Sequence, residues 1–278
     1  MESHGWYRLA PFRWSRGEQA ILPVLRRKEA LPEGAVDLEI THRGDALHVR
    51  GARDSEELRK RIARMFQLHL DLDDFYRLAR KYPSHAWVEP AGFGRLLCGS
   101  TLWEDAVKVI ATTNTMWRQT VRMVELLVAK CGRDGAFPSQ EDVARFSAEE
   151  LQRDCRLGYR AKTIRALAEV DLCGAGFSPR ADQRAEARST YRELPGIGPY
   201  GAAHLLAMDG RHESIAVDTE FRRFVRERYH GGRKVSDAAM LRHYRKWGRW
   251  QYLAYWCELW EENAVATPLH QAQASEDK

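Results

Sequence analysis

Apolar and polar residues alternate over residues 36–40 (Val-Asp-Leu-Glu-Ile) and again over 46–50, with His42-Arg43-Gly44-Asp45 between them. A period of two broken by turn-forming residues predicts an antiparallel hairpin. With the aromatic Trp6, Tyr7, Phe12 and Trp14 nearby, it predicts a small N-terminal antiparallel sheet. From about residue 56 the period becomes helical. Thr101 and Glu104 have capping-box spacing ahead of Leu102–Thr112, whose apolar side holds Ala106, Val107, Val109 and Ile110. A helix over 116–130 places Val121, Val124 and Val128 on one stripe, and Ser147 with Glu150 opens a short helix that stops near Gly158. Residues 181–193 read as one helix, 194–198 as a tight hairpin, and the segment from Pro199 to about Met208 as a second helix with proline at its first position. Helices over 218–229 and 238–262 complete an all-α body, and the tail 267–278 reads as disordered.

The hairpin Leu194-Pro195-Gly196-Ile197-Gly198 carries the most chemistry. Gly196 and Gly198 permit positive φ and present no Cβ, so backbone N–H groups at a helix N-terminus can converge on one phosphate oxygen. Such a grip holds a nucleic-acid backbone without reading sequence. The same glycines also suit an ordinary helical turn. Eighteen residues beyond Tyr200 stands Asp218, ahead of Thr219-Glu220-Phe221. An aspartate there is a favoured N-cap, and it is also a carboxylate able to stabilise positive charge that develops on a sugar. Both roles are open, and they are compatible.

The stretch from Leu194 to Ala202 (LPGIGPYGA) with Val217-Asp218 resembles the hairpin and aspartate of the helix-hairpin-helix DNA glycosylases. Thr112-Thr113-Asn114, Arg122-Met123-Val124-Glu125 and Leu157-Gly158-Tyr159-Arg160-Ala161 are similar to stretches of the 8-oxoguanine glycosylases. Trp247-Gly248-Arg249-Trp250 through Trp256 resembles the C-terminal helix of the 8-oxoguanine and 3-methyladenine glycosylase II groups. The likeness runs over roughly residues 61–262. It implies an α+β, mostly α fold: a small antiparallel β domain over 1–60, then a helix-hairpin-helix glycosylase body over 61–266.

The resemblance also implies roles. Such an enzyme rotates a damaged base out of duplex DNA and fills the gap. Tyr159 is then the wedge between bases, Arg160 contacts the opposite strand, and Asn114 occupies the hole left by the nucleotide. Gly196, Ile197 and Gly198 grip the strand, and Asp218 is the catalytic acid. Trp117, Tyr200, His204 and Tyr255 line the base pocket, with Leu259 beside Tyr255. Bifunctional relatives place a lysine where this chain has Tyr200, and its amine forms a Schiff base that nicks the strand. A phenol cannot form an imine, so a monofunctional glycosylase is expected. The 8-oxoguanine enzymes carry cysteine, glutamine and phenylalanine where this chain has His204, Tyr255 and Leu259. An aromatic pocket suits flat cationic bases, so alkylated purines such as 3-methyladenine are the expected substrate. Oxidised or mismatched bases are the alternative, favoured by the Tyr159-Arg160 loop. A catalytically silent DNA-binding module is the other. Most of the aromatics among Trp247, Trp250, Tyr252, Tyr255, Trp256 and Trp260 are expected in the core.

Composition adds bounds. Lysine and arginine total 44 against 39 acidic residues, a net +5 that suits double-stranded DNA as partner. No apolar run approaches a membrane span and no leader pattern is visible, so a cytoplasmic, nucleoid-associated and monomeric protein is expected. The five cysteines (Cys98, Cys131, Cys155, Cys173 and Cys257) are scattered, which fits reduced thiols. Some relatives carry an iron–sulfur cluster on closely spaced cysteines after the catalytic helix. Only Cys257 lies there, so neither a cluster nor another metal or organic cofactor is expected. The resemblance allows a monovalent cation on the hairpin carbonyls.

Overall fold

The computed structural model describes residues 5–15, 20–22, 24–26, 35–43, 46–172 and 190–266. The chain divides into two compact units, residues 1–68 with 96–205 and residues 69–95 with 206–278. This grouping differs from a split at residue 60.

The first unit begins with the sheet. Strands β1 (Arg13–Ser15), β2 (Ala20–Leu22), β5 (Glu39–Arg43) and β6 (Ala46–Arg50) pair antiparallel in the order β1-β2-β5-β6. Strands β3 (Val24–Arg26) and β4 (Ala35–Asp37) form a separate two-stranded sheet. The expected hairpin is present as β5 and β6, with Ile40 opposite Val49 and Arg43 opposite Ala46. Its first strand starts later than the alternation suggested. Residues 36 and 37 belong to β4, and buried Leu38 separates the two strands. The expected turn residues Gly44 and Asp45 lie outside the described residues. Trp6 and Tyr7, read as sheet aromatics, stand instead in a 3₁₀ turn, Trp6–Arg8, where Arg8 N–H donates to Gly5 C=O and Leu9 N–H to Trp6 C=O.

The helices of this unit follow their local signals. Thr101 accepts from Glu104 N–H at the head of Leu102–Thr112, the expected span. The next helix is Trp117–Cys131, one residue later than expected, with Met116 as N-cap. Ser139 with Asp142 and Ser147 with Glu150 form reciprocal capping boxes on Gln140–Ala144 and Ala148–Cys155. Arg160–Leu167 follows. Residues 190–193 are helical, while the rest of the helix expected over 181–193 lies outside the described residues. The core gathers Leu9, Ile40, Val107, Ile110, Val124, Leu127 and Ile164. Lys108 is buried in it, 2.6 Å from Glu104 and with its ammonium 4.3 Å from the centre of the Phe12 ring. Both charge and apolar stem are thereby satisfied.

In the second unit, the early helix Asp73–Ala79 and the 3₁₀ turn Pro83–His85 pack on the C-terminal elements. Trp247 meets Phe75, Tyr82 and His85 at ring distances of 6.1, 4.7 and 4.3 Å. That aromatic packing is why residues 69–95 belong with the distant C-terminal half. The single helix expected over 238–262 is instead three elements: Asp237–Leu241, a 3₁₀ stretch Arg242–Trp250, and Gln251–Ala266. The break falls at Gly248, whose φ of 55° and ψ of −121° leave the helical region. Trp247, Trp250, Tyr252 and Tyr255 are buried, so the C-terminal aromatics are mainly core, as expected. Cys98, Cys131, Cys155 and Cys257 are buried thiols not joined in disulfides; Cys173 and the tail 267–278 lie outside the described residues. No helix among the described residues is long and apolar enough to cross a membrane.

Candidate active site

The hairpin closes through Ile197 N–H donating to Leu194 C=O at 3.1 Å, and Ala202 N–H reaches Gly198 C=O at 2.9 Å in the first turn of Pro199–Met208. Buried Leu194 and Ile197 anchor it, while Gly196 and Gly198 are exposed. The two glycines are required for different reasons. Gly196 has φ +75°, and a Cβ there would lie 2.0 Å from Thr163 Cγ2 on the helix Arg160–Leu167. Gly198 does not use the positive φ that glycine permits, and a Cβ there would meet nothing within 4 Å. Its value is the open space over the helix N-terminus, where orphan N–H groups favour an anion.

Two loops of the same unit bring Asn114, Tyr159 and Arg160 together. Asn114 is exposed, with a left-handed φ of 46°, and its Nδ2 donates to Tyr159 Oη at 3.3 Å. The Thr113 and Tyr159 hydroxyls share a second 3.3 Å hydrogen bond, which holds the phenol below its ordinary pKa. Tyr159 is 59% exposed, its ring open to solvent. Arg160 is buried. Its guanidinium donates to the carbonyls of Thr113 and Asn114 and lies 4.6 Å from the Tyr159 ring centre. It stitches the two loops from within rather than standing out toward a second strand. Met116, 61% exposed beside Asn114, was not foreseen as part of this surface, because a methionine opening an amphipathic helix reads as core.

Tyr200 and His204 stack on one another along Pro199–Met208, ring centres 5.8 Å apart and 23° from parallel. His204 is buried, and burial lowers its pKa to about 4 against the opposing pull of the Asp105 charge. The imidazole is therefore neutral at physiological pH and does not repel a cation. Trp6 continues the row, 5.3 Å from His204, and its Nε1 donates to Asp105 Oδ1 at 3.2 Å. Trp117 is half-buried, its ring edge where a Cβ on Gly5 would come within 2.9 Å. Trp6 gave no sign in the sequence of belonging here.

In the second unit Asp218 is the N-cap of Thr219–His230, accepting from Phe221 N–H at 2.7 Å through Oδ1. Burial raises its pKa above the usual aspartate value, against the lowering effect of that backbone hydrogen bond. The capping role is present. Its helix is fixed by Arg222, which forms two 2.9 Å bonds to Asp237, and by Phe221, which meets Tyr255 edge-on at 5.0 Å. Tyr255 is 3% exposed and also packs on Phe224 and Tyr244, so it stands in the core beneath the Asp218 helix. Leu259, also buried, lies one turn further on. Among the described residues no group of three or more His, Cys, Asp or Glu side chains is arranged to hold a metal.

Residues 107–249 match the model of the HhH-GPD superfamily of base excision DNA repair proteins. A curated relative from Methanothermobacter thermautotrophicus, named a probable N-glycosylase/DNA lyase, is 28% identical over 236 residues, covering 73% of this chain and 75% of the relative. The solved 3-methyladenine DNA glycosylase from Archaeoglobus fulgidus aligns with a TM-score of 0.73 at 18% identity, over 94% of this chain and 92% of that one. The 8-oxoguanine glycosylase/lyase of Clostridium acetobutylicum, solved with double-stranded DNA, aligns with a TM-score of 0.71 at 16% identity, over 96% and 94%. At those identities the two structures share this chain's fold.

Proposed function

The chain belongs to the HhH-GPD superfamily of base excision DNA repair proteins and is a DNA glycosylase of that kind, and we propose that it is a monofunctional one that releases alkylated purines. The observation that carries the substrate is the stacked Tyr200–His204 pair with its imidazole kept neutral by burial. Ring faces attract a cationic base by up to about 2 kcal/mol once water is excluded. A protonated histidine would cancel that attraction. Alkylated purines carry such a charge and are already good leaving groups.

In this reading the hairpin supplies the grip, and Tyr200 and His204 face the base. The open face at Gly198 takes a phosphate oxygen, and the exposed Tyr159 ring enters the stack, where base–aromatic contact is worth about 1–3 kcal/mol. Asn114 stands beside Tyr159 and fills the space of the extruded nucleotide. Arg160 holds both loops in place through the carbonyls of Thr113 and Asn114. As the N-glycosidic bond breaks, positive charge develops on the deoxyribose, and the Asp218 carboxylate stabilises it and orients the attacking water. Tyr255 acts through Phe221 by packing the helix that Asp218 caps. Tyr200 stands where a Schiff-base lysine would be needed, which supports release of the base without strand cleavage.

A second reading, excision of oxidised bases with strand cleavage, is favoured by the name of the Methanothermobacter relative and by the Tyr159-Arg160 loop. One experiment separates them. Duplexes carrying single 3-methyladenine, 7-methylguanine or 8-oxoguanine lesions are incubated with the protein, and abasic sites are revealed by hot alkali. Release of the methylated bases, with an intact strand before alkali and no borohydride-trapped adduct, is expected. Efficient trapping, or release of 8-oxoguanine alone, overturns the proposal. Binding without any release would make the chain a silent DNA-binding module.

A further inference from the structure

The turn at Trp6–Arg8 is joined to His204 and to Trp117, two residues that the proposed reading places at the base, and neither join is needed for a sheet or a helix. On one side the Trp6 indole tilts 43° against His204 at 5.3 Å, so the imidazole meets the rings of both Trp6 and Tyr200. On the other, Gly5, with φ +72°, lies so close under Trp117 that a Cβ would come within 2.9 Å of Cζ2 and 3.3 Å of Cη2. The anchor of this turn is Asp105, on Leu102–Thr112. Its fully buried carboxylate accepts from Trp6 Nε1 at 3.2 Å and Gly99 N–H at 2.7 Å, and pairs with Arg64 Nη2 at 2.8 Å. A buried carboxylate with three fixed partners has little freedom, so the indole it holds has little either.

We propose that Trp6 is a positioning residue for base recognition: anchored on Asp105, its indole sets the place of the His204 ring, while Gly5 seats Trp117, so base selectivity depends on the N-terminal turn. The inference rests on the glycosylase reading. Trp6 is 2% exposed and acts through its neighbours rather than by touching the base. The chemistry explains why selectivity, and not only rate, responds. A cationic purine is held by ring faces, whereas a neutral oxidised purine depends on edge contacts, and a ring displaced by about 1 Å alters the two unequally.

The test uses the full chain and two variants, Trp6→Phe, which keeps a ring but removes the N–H that Asp105 accepts, and Gly5→Ala, whose methyl displaces Trp117 and strains the turn at φ +72° while the indole N–H donor to Asp105 is retained. Single-turnover release of 7-methylguanine and of 8-oxoguanine is measured, with affinity for a duplex holding a tetrahydrofuran abasic analogue and the melting temperature as controls. In both variants the ratio of the two release rates is expected to shift by about tenfold. Affinity for the abasic duplex, which places no base in the pocket, stays within about twofold. Equal loss of both rates, or an unchanged ratio, shows a merely structural turn and overturns the inference. Should Trp6→Phe fail to fold, the Gly5→Ala ratio decides alone. A wild-type chain that releases neither base overturns the substrate reading and this inference with it.

Discussion

Replacing Gly196 and Gly198 by alanine, one at a time, separates folding from grip. At Gly196 the new Cβ would lie 2.0 Å from Thr163 Cγ2, and φ is +75°. Holding an L-residue in the left-handed region costs about 1–2 kcal/mol, and forcing a methyl into filled space costs about 1–3 more. Gly196→Ala is therefore expected to lose roughly 2–5 kcal/mol by denaturant unfolding of the chain. Adding Thr163→Ser removes the opposing methyl and should restore the packing part, leaving the backbone part of about 1–2 kcal/mol. Gly198 has no positive φ and no neighbour within 4 Å of a Cβ, so Gly198→Ala should change stability by less than about 0.5 kcal/mol. In the proposed grip its methyl instead occupies the place of the phosphate. Fluorescence anisotropy at one fixed salt concentration should show about tenfold weaker binding to an abasic-analogue duplex. Gly196→Ala as stable as wild type, or Gly198→Ala binding as tightly, would refute the geometry.

Acid should destabilise both units. Burial lowers His204 to about 4 and His212 to about 3, so between those values and about 6.5 the unfolded chain binds protons that the folded chain does not. Stability is then full above pH 6.5 and falls as pH drops, by roughly 2 kcal/mol for each histidine between pH 7 and 5, which chemical denaturation across that range measures. Base release should follow Asp218: its pKa is raised by burial, so the acid limb of the single-turnover rate is expected above the ordinary aspartate value of 3.8, and a limb below it would contradict the assignment. Tyr159→Ala removes an exposed ring and should weaken binding to lesion duplexes by roughly 1–3 kcal/mol with the melting temperature unchanged. Equal binding would mean that the ring does not enter the stack.

What was legible in the sequence was what short-range chemistry decides. Thr101 and Glu104 mark the start of Leu102–Thr112, Pro199 opens its helix, and Asp218 caps the next one, each set by residues three or four positions away. The hairpin was visible too, but the different work of its two glycines was not, because it depends on Thr163 on another helix. Long-range packing was hidden. Trp6 meets Asp105 across 99 positions, and residues 69–95 join the C-terminal half through Trp247. Arg160 read as a strand contact by resemblance alone; its inward turn follows from carbonyls that Thr113 and Asn114 present. Tyr255 read as a pocket residue by position alone, and the rings of Phe221, Phe224 and Tyr244 enclose it.

The most direct measurement is single-turnover base release by Asp218→Asn, made beside its affinity for the same lesion duplex. Asparagine can still cap the helix through its side-chain oxygen, so the fold and the binding should persist. Release should fall by about a hundredfold or more, since the amide carries no negative charge to stabilise the sugar cation. A variant that binds equally well and releases the base at the wild-type rate would show that the chemistry lies elsewhere.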